Sequence, residues 1–154
     1  MAETRAKRAP MIKHYPETCT GCGLCDLMCS LYHEGEQGQR LSRGTLTGDR
    51  MTADFTFYVC RQCARPECYE ACPWQDKALC IDEATGITYI NPEECDGCEA
   101  CIEGCPFTPP LIKMHPDKQV AIKCDLCQGR AEGPICVEYC NFEALKVDFL
   151  QAEL

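Results

Sequence analysis

Four stretches of this chain carry four cysteines each: Cys19, Cys22, Cys25 and Cys29; Cys60, Cys63, Cys68 and Cys72; Cys95, Cys98, Cys101 and Cys105; Cys124, Cys127, Cys136 and Cys140. Together they hold sixteen of the seventeen cysteines, a ligand set for four 4Fe-4S clusters. The first and third runs have the C-x2-C-x2-C-x3-C spacing, in which three close thiolates cap one cluster and the fourth reaches across to another. A disulfide framework fits poorly. Secreted scaffolds follow a signal peptide, whereas Met1 to Tyr15 carries Arg5, Lys7, Arg8 and Lys13 and no apolar core or small-residue cleavage site. Zinc remains open for the fourth run taken alone, since four thiolates close a tetrahedral site. Three thiolates within seven residues suit the corners of a cubane better than a single ion.

With 154 residues the chain is expected to form one domain, residues 1–154. Large aliphatic side chains are sparse while Gly and Pro are frequent, so clusters are expected to dominate the interior and folding to depend on their insertion. No stretch approaches the roughly twenty apolar residues of a membrane span. A net charge of -9 argues against nucleic acid, which selects basic surfaces. A cytoplasmic location is expected.

The first and third runs repeat each other at constant offset, and the second and fourth are variants with a wider gap before the third cysteine. This reads as duplication of a two-cluster unit. Between runs, Leu79 to Ile81 and Ile87 to Ile90 flank Asp82 to Gly86 as a hairpin, and Leu111 to Met114 and Gln119 to Lys123 flank His115 to Lys118 likewise. Short helical turns are expected after Cys25, Cys68 and Cys101. Residues 30–59 read as a surface excursion returning as a strand through Phe55 to Val59.

Four runs in this order, Pro73 and Pro106 after Cys72 and Cys105, a hairpin between the second and third runs, and Lys123-Cys124-Asp125-Leu126-Cys127 resemble the four-cluster iron-sulfur subunits of the molybdopterin oxidoreductases. The resemblance covers about residues 12–148. It implies an α+β, ferredoxin-like fold in two halves, one from runs 19–29 and 124–140 and the other from runs 60–72 and 95–105. The implied clusters are held by Cys19, Cys22, Cys25 and Cys140; by Cys124, Cys127, Cys136 and Cys29; by Cys60, Cys63, Cys68 and Cys105; and by Cys95, Cys98, Cys101 and Cys72. Within the first run, Cys19-Thr20-Gly21-Cys22-Gly23-Leu24-Cys25 followed by Cys29-Ser30-Leu31-Tyr32-His33-Glu34-Gly35 is similar to electron-transfer subunits of tungsten aldehyde oxidoreductase-family enzymes, and to those of benzoyl-CoA reductase.

That resemblance implies a non-catalytic electron-transfer subunit beside a large tungstopterin or molybdopterin catalytic subunit, with a flavin or ferredoxin-reducing subunit as a further partner and self-association left open. A formate dehydrogenase, hydrogenase or benzoyl-CoA reductase-type complex and a stand-alone ferredoxin are the alternative settings. Two departures stand out: Ser30 and Asn141 replace the proline that often follows the fourth cysteine, leaving backbone donors that could reach a cluster sulfur. Outside the runs, Cys80 reads as a buried small hydrophobe and His33 as a solvated or structurally bonded imidazole. Trp74 and Tyr69 read as shields for a cluster. Arg40, Arg43 and Arg50 read as a solvated face or, within Glu34 to Arg50, a docking edge.

Overall fold

The computed structural model describes residues 8–149, so Arg5 and Lys7 lie outside the described residues. Its elements are β1 (Met11–His14), α1 (Leu24–Glu34), β2 (Thr45–Asp49), β3 (Asp54–Tyr58), α2 (Glu67–Ala71), β4 (Leu79–Ile81), β5 (Thr88–Ile90), α3 (Ala100–Glu103), β6 (Lys113–Met114), β7 (Ala121–Ile122), α4 (Ile135–Glu138) and β8 (Leu145–Asp148), with a 3-10 turn at Gln39–Leu41. The strands form four antiparallel pairs, β1 with β8, β2 with β3, β4 with β5 and β6 with β7. This is a small α+β protein of short elements. No helix among the described residues is long and apolar enough to cross a membrane.

Local chemistry explains both expected hairpins. Asp82 Oδ1 accepts the backbone N–H of Thr85 at 2.7 Å and its hydroxyl at 2.9 Å, folding the loop so that Leu79 pairs with Ile90. Around β6 and β7, His115 Nδ1 accepts the N–H groups of Asp117 and Lys118 at 3.0 and 3.1 Å. Those strands are shorter than expected, two residues each.

The stretch after the first run corrects the expectation. Instead of a short turn and a surface excursion, α1 continues through Cys29 and Ser30 to Glu34, and β2 and β3 then form a hairpin. Proline after Cys72 ends α2 at Ala71, whereas Ser30 keeps the N–H that an α-helix interior requires. Ser30 is fully buried; its hydroxyl donates to Leu27 O and accepts from Gly38 N–H, both at 3.0 Å. Its backbone donor is therefore committed to the helix and does not face a cluster sulfur. Asp26 on the same helix accepts the Ser42 hydroxyl at 2.9 Å and the Leu46 N–H at 3.0 Å, tying α1 to the start of β2. Burial raises the Asp26 pKa, against those hydrogen bonds.

Two apolar clusters result. The larger gathers Ala9, Ile12, Leu46, Phe55, Phe57, Val59, Ile87, Leu126 and Leu145 with several cysteines. The smaller holds Leu79, Cys101, Ile112 and Ala121, and partly buried cysteines pack against it. Helix α1 packs on α4, and α2 on α3.

Candidate iron-sulfur centres

One backbone conformation recurs in every run. The residue just before the second cysteine has positive φ: Gly21 at 68°, Gln62 at 49°, Gly97 at 72° and Leu126 at 58°. Glycine is required twice over in the two regular runs, because a Cβ at Gly21 would collide with the Phe55 ring and one at Gly97 would lie 2.6 Å from Gln119 O. At Gln62 and Leu126 a full side chain is held in a conformation that ordinarily costs on the order of 1–3 kcal/mol. The turn has a chemical consequence: Gln62 N–H points at Cys60 Sγ and Leu126 N–H at Cys124 Sγ, each at 3.4 Å.

Further backbone donors converge on sulfur. Arg43 N–H lies 3.4 Å from Cys29 Sγ, Leu111 N–H 3.3 Å from Cys105 Sγ, and Ala121 and Ile135 N–H groups 3.5 Å from Cys95 and Cys127 Sγ. Such contacts favour thiolate over thiol and orient it.

The fold brings cysteines of different runs together. One cavity is lined by Cys19, Cys22, Cys25 and Cys140, with Leu46, Phe57, Phe142 and Leu145 around them. A second is lined by Cys60, Cys63, Cys68 and Cys105, with Gln62, Thr88, Ile112 and Lys123. The electrostatics group the remaining residues. Burial pushes the Cys101 thiol up to about 11, and Cys95, Cys72 and Cys98 add to it. Burial likewise pushes Cys136 well up, with Cys124, Cys29, Cys127 and Cys25 as its charged neighbours. Cys25 and Cys68 are driven to about 12, first by burial. Thiols this crowded and buried do not ionise together without cationic charge among them. An all-sulfur donor set with amide N–H groups aimed at it fits an iron-sulfur group, which demands thiolate and supplies that charge. Cys22 and Cys98 alone among the sixteen are exposed.

The side chains singled out beside the runs fall into place differently. His33 is mostly buried, its Nε2 3.6 Å from Asp125 Oδ1 and 3.8 Å from Cys127 Sγ. Burial, helped by Arg43, lowers its pKa to about 4, so the imidazole is neutral near pH 7. Arg43 departs from the expected solvated face, pairing with Asp125 at 3.2 Å, whereas Arg40 and Arg50 are exposed. Cys80 is only half-buried; its thiol donates to Lys77 O at 3.3 Å. Trp74 Nε1 donates to Asp96 Oδ2 inside the third run, and Tyr69 Oη to Asp76 Oδ1, both at 2.9 Å. Asn141 is exposed.

Gln62 was not singled out from the sequence, and Lys123 only as the first residue of the motif Lys123 to Cys127. Both are 1% exposed, and both donate to Thr88 O and Cys124 O, so they join the second and fourth runs through β5.

A family model described as 4Fe-4S dicluster domain matches residues 51–149. The aliphatic sulfonate oxidoreductase, polyferredoxin-like subunit of Pyrococcus furiosus is 38% identical over 135 residues, which cover 86% of this chain and 73% of that protein. The electron transport protein HydN of Escherichia coli K12 is 29% identical over 163 residues, covering 88% and 89% of the two chains. Among solved structures, a chain of the active site complex BamBC of benzoyl coenzyme A reductase with benzoyl-CoA aligns with a TM-score of 0.53 at 21% identity, over 94% of this chain and 82% of that one. This last is a likeness of fold.

Proposed function

The chain belongs to the 4Fe-4S dicluster domain family and is homologous to polyferredoxin subunits of oxidoreductases, and from that premise we propose that it is a four-cluster relay. In this reading Cys19, Cys22, Cys25 and Cys140 hold one 4Fe-4S cluster; Cys124, Cys127, Cys136 and Cys29 a second; Cys60, Cys63, Cys68 and Cys105 a third; and Cys95, Cys98, Cys101 and Cys72 a fourth. The observation that carries it is the shared cavity: Cys140 lines the first run's cavity and Cys105 the second run's. A run that closed on itself, as a zinc site in the fourth run would, gives no reason for Cys140 to leave Cys136.

Bound clusters of this kind accept and release single electrons. The chain's own contribution is to hold them, exclude water and set their surroundings. The two halves, runs 19–29 with 124–140 and runs 60–72 with 95–105, meet where Cys60 is the foremost of the thiols acting on Cys124. The exposed Cys22 and Cys98 lie in the outer two sets, where electrons can enter and leave. All sixteen clustered cysteines serve as ligands in this assignment, so no iron is left open for substrate and the chain acts without a catalytic site of its own.

For the partner, we propose a large tungstopterin subunit of the aldehyde oxidoreductase type. The support is the resemblance of Cys19 to Gly35 together with the similarity to a polyferredoxin-like subunit named for an aliphatic sulfonate oxidoreductase. Anaerobic purification of the tagged chain tests both levels. Iron and acid-labile sulfide near sixteen atoms each per chain are expected, with tungsten in the co-purifying complex. Zinc in place of one cubane overturns the fourth run's assignment; molybdenum or nickel moves the partner to a formate dehydrogenase or hydrogenase. Cys29→Ala is expected to perturb the cluster of Cys124, Cys127 and Cys136 while that of Cys19, Cys22 and Cys25 keeps its signal.

A further inference from the structure

Lys123 precedes the fourth run in sequence but serves another set of cysteines in space. It is 1% exposed, the largest fully buried side chain among the described residues. Its ammonium donates to Thr88 O and, at 3.3 Å, to Cys124 O, and the side chain lines the cavity of Cys60, Cys63, Cys68 and Cys105. Two carbonyl oxygens do not neutralise a cation. Among the described residues no carboxylate pairs with Lys123, whereas Arg43, close to the fourth run, is answered by Asp125 at 3.2 Å. A buried ammonium without a counterion is costly, and folds retain one where an anion sits nearby.

The anion is identified by the cavity. A cubane held by four thiolates is negatively charged, and accepting one electron makes it more so. A fixed cation nearby therefore stabilises the reduced form more than the oxidised form. We propose that Lys123 is the internal counter-cation of the cluster held by Cys60, Cys63, Cys68 and Cys105 and raises that cluster's reduction potential. The inference rests on the ligand assignment proposed above. Gln62 fixes the arrangement: its Nε2 donates to Thr88 O at 3.2 Å and Cys124 O at 2.9 Å, and its Oε1 accepts Thr88 N–H at 2.8 Å. Lys123 is thus a positioning residue for charge, acting across a gap between two runs.

The test uses the full-length holoprotein, purified anaerobically, reduced stepwise with dithionite and followed by EPR. Cys68→Ser and Cys105→Ser first identify the couple of interest, because both are expected to alter the same one. Lys123→Gln keeps a donor for the two carbonyls and removes the charge. Its expected effect is at least a tenfold fall in the reduction equilibrium of that one couple, about 59 mV for one electron, with iron content unchanged and the other couples unmoved. Lys123→Arg keeps the charge and is expected to restore most of the shift. If Cys68→Ser and Cys105→Ser alter different couples, the ligand assignment fails. If they alter one couple and Lys123→Gln leaves it in place, the role of Lys123 fails while the assignment stands. Loss of iron from Lys123→Gln and Lys123→Arg alike overturns the proposal too, since the residue is then needed for assembly regardless of its charge.

Discussion

The regions around the two apolar clusters keep their shape by different means. Around β1, β2, β3 and β8, aromatic and aliphatic side chains form an apolar core in its own right, with Phe55, Phe57, Val59 and Leu145 all under 9% exposed. Around α2, α3, β4 and β5, the buried apolar set is smaller, Leu79, Ile112 and Ala121 with Cys101, and what packs against it is only partly buried, Tyr69, Ile90, Ile102 and Met114 among cysteines. At roughly 25 cal/mol per Å² of buried apolar surface, the first half has an organic core to fall back on. The second has a smaller and more open one, interleaved with cysteines. One chain thus combines a conventional fold with one that approaches a metal-dependent fold.

The strongest way to break this contrast is removal of iron by anaerobic chelation. Amide exchange in 66–72, 79–90 and 95–105 is expected to lose nearly all protection, while the β1–β8 and β2–β3 pairs keep theirs. Simultaneous loss in both halves would erase the distinction. A second test compares truncations. Phe57→Ala is expected to cost about 3–5 kcal/mol whether or not iron is bound. Leu79→Ala is expected to cost about 2–5 kcal/mol in the holoprotein and nothing measurable in the iron-free chain, where its surroundings are already open. Denaturant unfolding of both forms reads the difference.

Smaller effects sharpen the picture within and between the halves. Asp26→Ala removes the acceptor of Leu46 N–H and the Ser42 hydroxyl inside the larger core, a loss of about 1–3 kcal/mol, measurable in the same unfolding curves. The smallest effect concerns the link from α1 to the β6–β7 loop. Nδ1 of His115 is occupied by two backbone donors, so Nε2 carries the hydrogen and donates to Glu34 at 3.2 Å, beside Lys118 at 2.8 Å. Burial pushes the Glu34 pKa up, but the hydrogen bonds from Lys118 and His115 and the charge of Lys118 outweigh it and hold it below the ordinary 4.5. The unfolded chain therefore takes up the proton first as pH falls. The stabilisation is complete above the ordinary glutamate range and is lost as pH drops through the lower folded value. Glu34→Gln is expected to abolish this acid limb, worth on the order of 1 kcal/mol because Lys118 is exposed, as read from exchange of the loop amides.

Which features could be read from residues alone follows the same division. The cysteine runs and both internal hairpins were legible, because cysteine spacing and the Asp82 to Gly86 turn are local patterns. Gly21 and Gly97 announced their positive φ, whereas Gln62 and Leu126 adopt the same conformation with no residue-level sign of it. The length of α1 was hidden in Ser30, whose meaning lies in what it is not, a proline. Helix α4 spans four residues behind Pro134, too short for any periodicity to reveal. Pairing of β1 with β8 joins segments separated by nearly the whole chain, and neither strand carries a turn signal naming the other. Lys123 looked like a neighbour of Cys124 because sequence adjacency says nothing about where a long side chain ends.

That pairing of β1 with β8 has a kinetic side. Met11 to His14 leave the ribosome long before Leu145 to Asp148, and Cys19, Cys22 and Cys25 long before the Cys140 that lines their cavity. Contacts so distant in sequence close slowly, since the loop entropy must be met before they form. The cavity of Cys19, Cys22 and Cys25 therefore closes only when Cys140 arrives. Until then its thiols stand open, and the larger apolar core lacks its closing strand until Leu145 to Asp148 have emerged.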